Sequence, residues 1–411
     1  MTIEAAAADA RIEQSVSWRM TFLLAMSCGL IVANLYYVQP LVGLVSAALG
    51  LPRDAAGLVV TMTQLGYSIG LLLIVPLGDL LENRRLVVTV ICVAALAMLV
   101  TAFARDARVF LTAALFTGLG SVAVQLLMVY AAHLAPEAER GRVVGNVTSG
   151  LMLGIMLARP VSSFLTAFSS WHVVFVLSAF VMAVLATVLS RVLPPRQPVA
   201  RQNYGTFLLS MGHLLLTKPV LRRRAFYQAC LFAAFSLFWT VTPLLLSGPE
   251  FGMSQIGIGL FALVGVAGAI AAPIAGRIAD RGLSLPATGF AMLAVAIAFP
   301  MTHIGAPGSP LALASMFAAA VVLDFGVQAH LVFGFRAIFS LGAEFRGRLN
   351  GLYMTIFYTA GAVGSALGAF AYAQGGWRLA SALGLALPLA ALIGFAMEFA
   401  ASRRAGKAGD Q

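Results

Sequence analysis

The sequence predicts an all-α membrane protein, with twelve transmembrane helices arranged as two pseudo-symmetric six-helix bundles. Three observations predict it. The 411-residue chain is 61% hydrophobic and only 10% charged, with a mean hydropathy of +0.95, whereas a soluble domain is about half apolar and a quarter charged. Apolar runs of membrane-crossing length, about 20 residues, recur along the whole chain. Short motifs in the first half return in the second half at one fixed spacing.

The runs lie near 20–42, 57–77, 86–104, 109–133, 143–167, 172–192, 225–247, 256–275, 285–303, 311–335, 349–373 and 378–399. Most end at turn-forming punctuation such as GLPRD, ARDAR, RVLPP, SGPEFG and IGAPGSP. Residues 1–18 lack the basic start and cleavage site of a removable signal peptide, so the first run is expected to be retained. The longest polar gap divides the chain into an N-terminal bundle over 1–192, a cytoplasmic linker over 193–222 and a C-terminal bundle over 223–411. Within the linker, YGTFLLSMGHLLL reads either as an amphipathic helix on the membrane surface or as plain flexible chain.

The formal charge of +11 is a topology signal. Twenty-one of the 26 Lys and Arg residues fall on one side of the spans. Only Arg53, Arg105, Arg108 and Arg378 fall on the other side, with Arg159 in between. The positive-inside rule then places both termini in the cytoplasm, and nucleic acid is excluded as a partner. The three Cys (Cys28, Cys92 and Cys230) sit singly in apolar runs and make neither a disulfide framework nor a metal cluster. The five His form no H-x-x-x-H pair. No G-x-S-x-G, H-E-x-x-H or P-loop sequence is present, so neither an enzyme, a metal, a cofactor nor an ATP-driven pump is expected. A sensor would carry an extra soluble domain.

The repeat is explicit. ERGRVVG (139–145) returns as FRGRLNG (345–351), and SSWHVVFVL (169–177) as GGWRLASAL (375–383), all displaced by 206 residues. A repeated six-helix unit is the signature of a secondary transporter, with substrate held near the midplane between the halves. Small residues at four-residue spacing occur at Gly66/Gly70, Gly150/Gly154/Ala158, Gly268/Ala272 and Gly364/Gly368. Such spacing lets helices approach closely in lipid. Either it serves generic packing or, as the register across the repeat favours, it lines an interface on which the bundles rock.

With these motifs the chain resembles the major facilitator superfamily over essentially its whole length. PLGDLLENRR (76–85) resembles that superfamily's gating loop, and GRIADRG (276–282) its second-half copy. In the second copy Gly276, Asp280 and Arg281 match. In the first, Asp79, Arg84 and Arg85 match, while Val75 replaces the usual Gly and Leu80 the usual Arg. The resemblance implies that Asp79 and Asp280 latch the cytoplasmic side by charge, among Arg84, Arg85, Arg140, Arg142, Arg281, Arg346 and Arg348. From the residues alone, each acid also fits a plain solvated ion pair. ANLYYVQP, DFGVQAHL and RGRLNGLYM resemble a bacterial branch of sugar- or drug-efflux permeases related to drug:proton antiporters, which implies a bacterial cytoplasmic (inner) membrane. Ala114 stands where the antiporters carry an Arg, and Arg159, Ser163 and Phe164 replace the glycines around their helix-5 Pro.

Two charges stand out inside the spans. Arg159 lies 17 residues beyond Arg142 and 12 before Trp171, about 25 Å and 18 Å along a helix. A cation there costs roughly 2.5–3.5 kcal/mol on insertion scales, so it must face protein or water and have a partner. Pro160 frees the carbonyl of Met156, which the guanidinium or a water can satisfy. Arg159 reads as an anion anchor or proton-relay member, or as a structural pin. Asp324 is the only acid deep in any span. Burial disfavours its charged form and a nearby cation favours it, so it reads as a proton-coupling group or as half of a static ion pair.

Around these two lie Asn34, Tyr36, Tyr37, Gln39, Gln64, Gln125, Gln228, Trp239, Gln328 and His330. Unpaired amides are costly in lipid, so these should face a substrate cavity or one another. Any single Tyr or Gln is equally a packing residue, and His330 reads as an interhelical hydrogen bonder. The expected function is proton-coupled export of a small amphipathic organic molecule, drug- or sugar-like. The alternative is proton-linked uptake of a small organic acid anchored by Arg159. Protons, a small molecule and the lipid bilayer are the partners, and a monomer suffices for the fold.

Overall fold

A computed structural model describes residues 16–137, 139–197 and 203–409, apart from the side chains of 266, 267, 269, 343 and 401–409. Arg11 and Arg201 of the charge count lie outside the described residues, as do the side chains of Arg403, Arg404 and Lys407. No strand occurs among the described residues. Ten helices there are long and apolar enough to cross a membrane. One of them, Arg346–Ala400, holds the last two predicted spans, and the first span is delivered by two shorter apolar helices. All twelve spans are therefore accounted for.

The first half contains α1 (Trp18–Ala33, resumed at Val42–Ala48), α2 (Leu58–Leu73) and α3 (Asn83–Phe103). It continues with α4 (Ala107–Ser121 and Ala123–Leu134), α5 (Arg140–Phe168) and α6 (Trp171–Val192). The second half contains α7 (Pro219–Ser247), α8 (Gln255–Ala262, resumed at Val266–Asp280), α9 (Ser284–Met301) and α10 (Pro310–Phe339). The helix Arg346–Gly409 bends at Gly375 and Gly376, where the backbone leaves helical angles, and so supplies α11 (346–374) and α12 (377–409). Asp106, Ser254 and Ser309 cap α4, α8 and α10 by accepting from backbone N–H groups of the first turn.

The gap between the halves contains a further helix, Tyr204–Thr217, capped by Asn203. Residues 204–217 of the expected linker are thus helical. Met211 and Leu214 are buried against the start of α11, while Leu209 and Leu216 are exposed. α7 begins at Pro219, inside the stretch expected to be linker, because Pro is favoured in a first helical turn.

Three spans expected to be continuous are broken, α4 only at the single residue Val122. α1 stops at Ala33, passes through turns and a 3₁₀ segment at Gln39–Leu41, and resumes at Val42. Pro40 has no N–H to bond the carbonyl a turn earlier, and it disfavours helical angles at Gln39. α8 is interrupted by a 3₁₀ turn at Leu263–Gly265. α5, in contrast, runs straight through Pro160.

The glycine stripes correct an expectation. Gly150 and Gly154 abut the backbone of α1 at Ala25 and Gly29, Gly66 and Gly70 abut α4, and Gly364 and Gly368 abut α7. Gly268 faces Gln328 on α10. Each therefore brings together helices of its own half, and none lines the surface between the halves. That surface is formed by α2 against α11 and α5 against α8, with α1 touching α7. Small-residue spacing specifies a close approach but not which neighbour approaches.

Candidate functional site

The broken segments deliver side chains to one place. The turn after α1 carries Tyr36 and Gln39, the 3₁₀ turn of α8 carries Gly265, α5 brings Arg159 and α10 brings Asp324. Arg159 and Asp324 are 2% and 3% exposed and Gln39 is fully buried. Discontinuous helices at midplane depth are where transporters of this architecture form binding sites.

Arg159 Nε donates to Gln39 Oε1 at 2.6 Å, so the guanidinium turns to α1 rather than to the carbonyl freed by Pro160. Its planar face is enclosed by three aromatic rings. The central carbon lies 4.9 Å from the Tyr36 ring, 5.4 Å from Phe235 and 4.5 Å from Trp239. Desolvated contacts of this kind contribute about 2 kcal/mol at best, which offsets part of the burial cost. Two donors remain without acceptors, Arg159 Nη2 and Gln39 Nε2.

Asp324 is held from α7, where Trp239 Nε1–H donates to Oδ1 at 2.8 Å. Trp239 thus touches both charges, one through its ring face and the other through its edge. Arg159 and Asp324 do not form an ion pair within hydrogen-bonding range. Instead, Arg159 Nη1 and Asp324 Oδ2 each lie 3.5 Å from the point where a side chain at Gly265 would begin. A carboxylate and a guanidinium thus face one another across a gap that a glycine leaves open.

The remaining predicted residues divide into groups. Gln64 crosses to the second half, donating to Ser236 Oγ at 2.8 Å, and Ser365 links Ser236 to Thr240. The Tyr36 hydroxyl meets that of Tyr358 at 3.3 Å. Gln125 donates to the Tyr67 hydroxyl at 3.2 Å and borders a cavity of about 230 Å³ toward the R-G-R loops. Gln328 packs against Gly268. Four residues stand apart: Asn34 accepts from Ser178 of α6, Tyr37 sits beside the same serine, and His330 pairs with Gln228 inside the second half. Sequence reasoning missed Phe235, Ser236, Tyr358, Ser365 and Gly265, which look like ordinary span residues until the fold brings them together. A larger cavity of about 640 Å³, lined by Glu250, His303, Trp377 and Arg378, opens at the other end of the second half, away from the two charges.

The predicted gate residues are not latched across the halves. Asp280 pairs with Arg336 of α10 at 2.7 Å, and Arg142 with Glu139 at 2.9 Å. Arg85 pairs with Glu82, whose carboxylate also caps α3. Arg84 reaches the Leu193 carbonyl at 3.5 Å, Arg140 the Ala132 carbonyl at 3.0 Å, and Arg348 the Ser210 hydroxyl of the linker helix at 3.1 Å. Asp79, Arg281 and Arg346 are exposed, and Asp79 borders the 230 Å³ cavity. No ion pair among the described residues joins the two halves. The halves are fastened instead by hydrogen bonds. On the R-G-R side Ser68 donates to Thr355 O at 2.9 Å. At the other side Thr61 donates to Ala362 O at 3.0 Å, and Ser163 to both Gln255 O and Oε1 at 2.8 Å.

Comparisons with known proteins agree with this architecture. The family model described as Major Facilitator Superfamily matches residues 20–339. The uncharacterized transporter YgaY of Escherichia coli O157:H7 is 37% identical over 371 residues, 90% of this chain and 93% of its own length. The "Probable transporter SCO4007" of Streptomyces coelicolor is 30% identical over 357 residues, 86% of this chain and 82% of its own. Among solved structures, the nucleoside transporter NupG superposes with a TM-score of 0.75 at 13% identity, covering 92% of this chain and 99% of that one. The human organic anion transporter MFSD10 superposes with a TM-score of 0.63 at 19% identity, covering 93% and 100%. At such identities the structural matches establish the fold alone. Two pseudo-symmetric helical halves, a buried polar centre between them and these matches make the chain a member of the major facilitator superfamily, a multi-pass membrane transporter and not an enzyme.

Proposed function

We propose that the chain moves a small amphipathic organic molecule across the bacterial cytoplasmic membrane, coupled to protons, by exposing the Arg159–Asp324 site to each side in turn. The carrying observation is the unpaired approach of one buried acid and one buried cation from opposite halves. In a low-dielectric site the interaction between them is strong, and protonation of Asp324 removes it. Any motion that separates the halves therefore costs a different amount in the two protonation states.

The charge asymmetry supports a cytoplasmic R-G-R end with both termini on that side. It also supports 1–192 and 223–411 as the two rocking bodies, with 193–222 as their tether. Asp79, Asp280 and the surrounding Arg residues would then gate the cytoplasmic mouth when it closes. One chain supplies the entire site, which favours a monomer. The branch resemblance supports export of a drug- or sugar-like molecule. Export in exchange for protons requires ligand and proton to exclude one another at Asp324, whereas uptake requires them to bind together. The unpaired Nη2 of Arg159 favours the second arrangement, with an organic acid as cargo.

Proteoliposomes with an internal pH dye test the coupling. With a panel of sugars, aromatic acids and cationic drugs, substrate-dependent proton movement is expected in the wild type and should vanish in Asp324→Asn. Undiminished movement in the variant would remove Asp324 from the coupling mechanism.

A further inference from the structure

We infer that Gln39 and Arg159 together form a two-donor receptor for an oxyanion on the transported molecule, and that this oxyanion binds with the proton rather than against it. The conclusion rests on the coupling role proposed above for Asp324.

The argument starts from hydrogen-bond valence. A side-chain amide offers two donor hydrogens and one acceptor oxygen, and a guanidinium offers five donors and no acceptor. Gln39 gives its oxygen to Arg159 Nε, which fixes the amide's orientation and turns its nitrogen away. Gln39 Nε2 and Arg159 Nη2 are both left buried without an acceptor. Leaving such donors empty costs about 1–3 kcal/mol each, more for the charged one. The vacant valence is all on the donor side, so the complementary group is an acceptor. Beside a guanidinium, a planar carboxylate is the natural fit. The Tyr36, Phe235 and Trp239 rings around the guanidinium offer an apolar wall for the rest of the molecule.

The sign of the coupling follows from charge. Asp324 Oδ2 and Arg159 Nη1 flank the same open point at Gly265. Among the described groups facing Asp324, only the guanidinium of α5 and the Tyr36 hydroxyl of α1 are charged or titratable. α7 presents Trp239 and α8 presents Gly265 and Gly268, and where α9 touches α10, at Gly326, it presents Ala291, Ala294 and Val295. With Asp324 ionised, the site is neutral and an incoming anion meets a like charge. With Asp324 protonated, the site carries the uncompensated charge of Arg159, and an anion neutralises it. Anion and proton therefore raise one another's affinity by the same factor. They travel together, inward under an inward proton gradient. A ligand donating to the Asp324 carboxylate would instead compete with the proton, which is the arrangement that export by exchange requires.

The test uses the full-length protein in lipid nanodiscs, in weakly buffered medium with a pH indicator. The probes are benzoate, phenylacetate and short aliphatic carboxylates, each beside its amide and its amine analogue. Carboxylates alone are expected to bind, to draw protons from the medium as they do, and to bind more tightly as pH falls. Gln39→Leu and Gln39→Glu should each weaken carboxylate binding by about ten-fold or more. The Leu variant removes the Nε2 donor and leaves the guanidinium uncompensated. The Glu variant removes the same donor, keeps the acceptor for Arg159 Nε and adds a negative charge beside it, so a loss shared by both is attributable to the donor. Asp324→Asn should bind carboxylates at every pH with no proton uptake. Selection of amines or amides, proton release on binding, wild-type affinity in both Gln39 variants, or no binding by any carboxylate would overturn the receptor. Carboxylate binding that moves no protons in wild type would leave the receptor standing and instead overturn the coupling role of Asp324.

Discussion

The two halves share a scaffold but differ at the two positions that matter most. The shift of 206 residues that maps Arg140 onto Arg346 maps Arg159 onto Ser365. Ser365 is fully buried and hydrogen-bonds Ser236 and Thr240, each at 2.9 Å. Aligning the V-Q steps at Gln125 and Gln328 places Asp324 opposite Ser121, whose hydroxyl bonds the Thr117 carbonyl of its own helix at 2.7 Å. Each half therefore carries one charge where the other carries a buried serine. A serine satisfies itself within or beside its helix, whereas a buried charge needs a partner elsewhere. With the cation in one half and the acid in the other, their electrostatic interaction spans the surface between the halves instead of lying within one of them.

Making the halves alike should abolish the activity. Arg159→Ser gives the first half the residue that the second half carries at the equivalent place. It removes a partner of a buried charge, so substrate-driven proton flux in liposomes should fall by about a hundred-fold or more. The protein should still insert, because removing an intramembrane cation lowers the insertion cost by roughly 2.5–3.5 kcal/mol.

A second comparison separates contacts inside a half from contacts between halves. A side chain at Gly154 would run into the α1 backbone at Gly29. Gly154→Val should therefore destabilise the first half by about 1–3 kcal/mol or more, seen as a lower unfolding temperature in detergent. A side chain at Gly57 would strike Ser365 O and Ala369 of α11 across the seam. Gly57→Ala should leave each half folded but favour the conformation in which α2 and α11 part, measurable by spin-label distances. Equal effects of the two variants on unfolding would erase the distinction. The smallest effect is expected from Ser163→Ala, which removes the hydroxyl shared with Gln255. A loss of about 1 kcal/mol should shift the balance between the two conformations by about five-fold, read from cysteine labelling on the R-G-R side.

Much of the fold was legible because lipid restricts the backbone so strongly. Spans, their number and the repeat followed from apolar length and two copied loops. The breaks in α1 and α8 were not legible. Pro40 fell inside an apolar run expected to continue to 42, and the α8 break contains no proline at all. The two charges stood out because their burial is costly in any context. Gly265 and Phe235 did not, since a glycine or a phenylalanine in a span is unremarkable until its neighbours are known. The glycine stripes misled for a related reason, because four-residue spacing records that two backbones touch and not whose they are.

The location of Arg159 also bears on how the chain is made. Synthesis runs from the N-terminus, so α5 enters the membrane long before α10 exists. The guanidinium must then be accommodated without Asp324. The partners it needs at that stage, the Gln39 oxygen and the Tyr36 ring, belong to α1 and are already in place. The rings of α7 arrive next, and the acid arrives last. The break in α1 thus supplies an acceptor and a ring face to an arginine whose counter-charge has yet to be translated. Disrupting it should make the first six helices prone to degradation before the second six are complete.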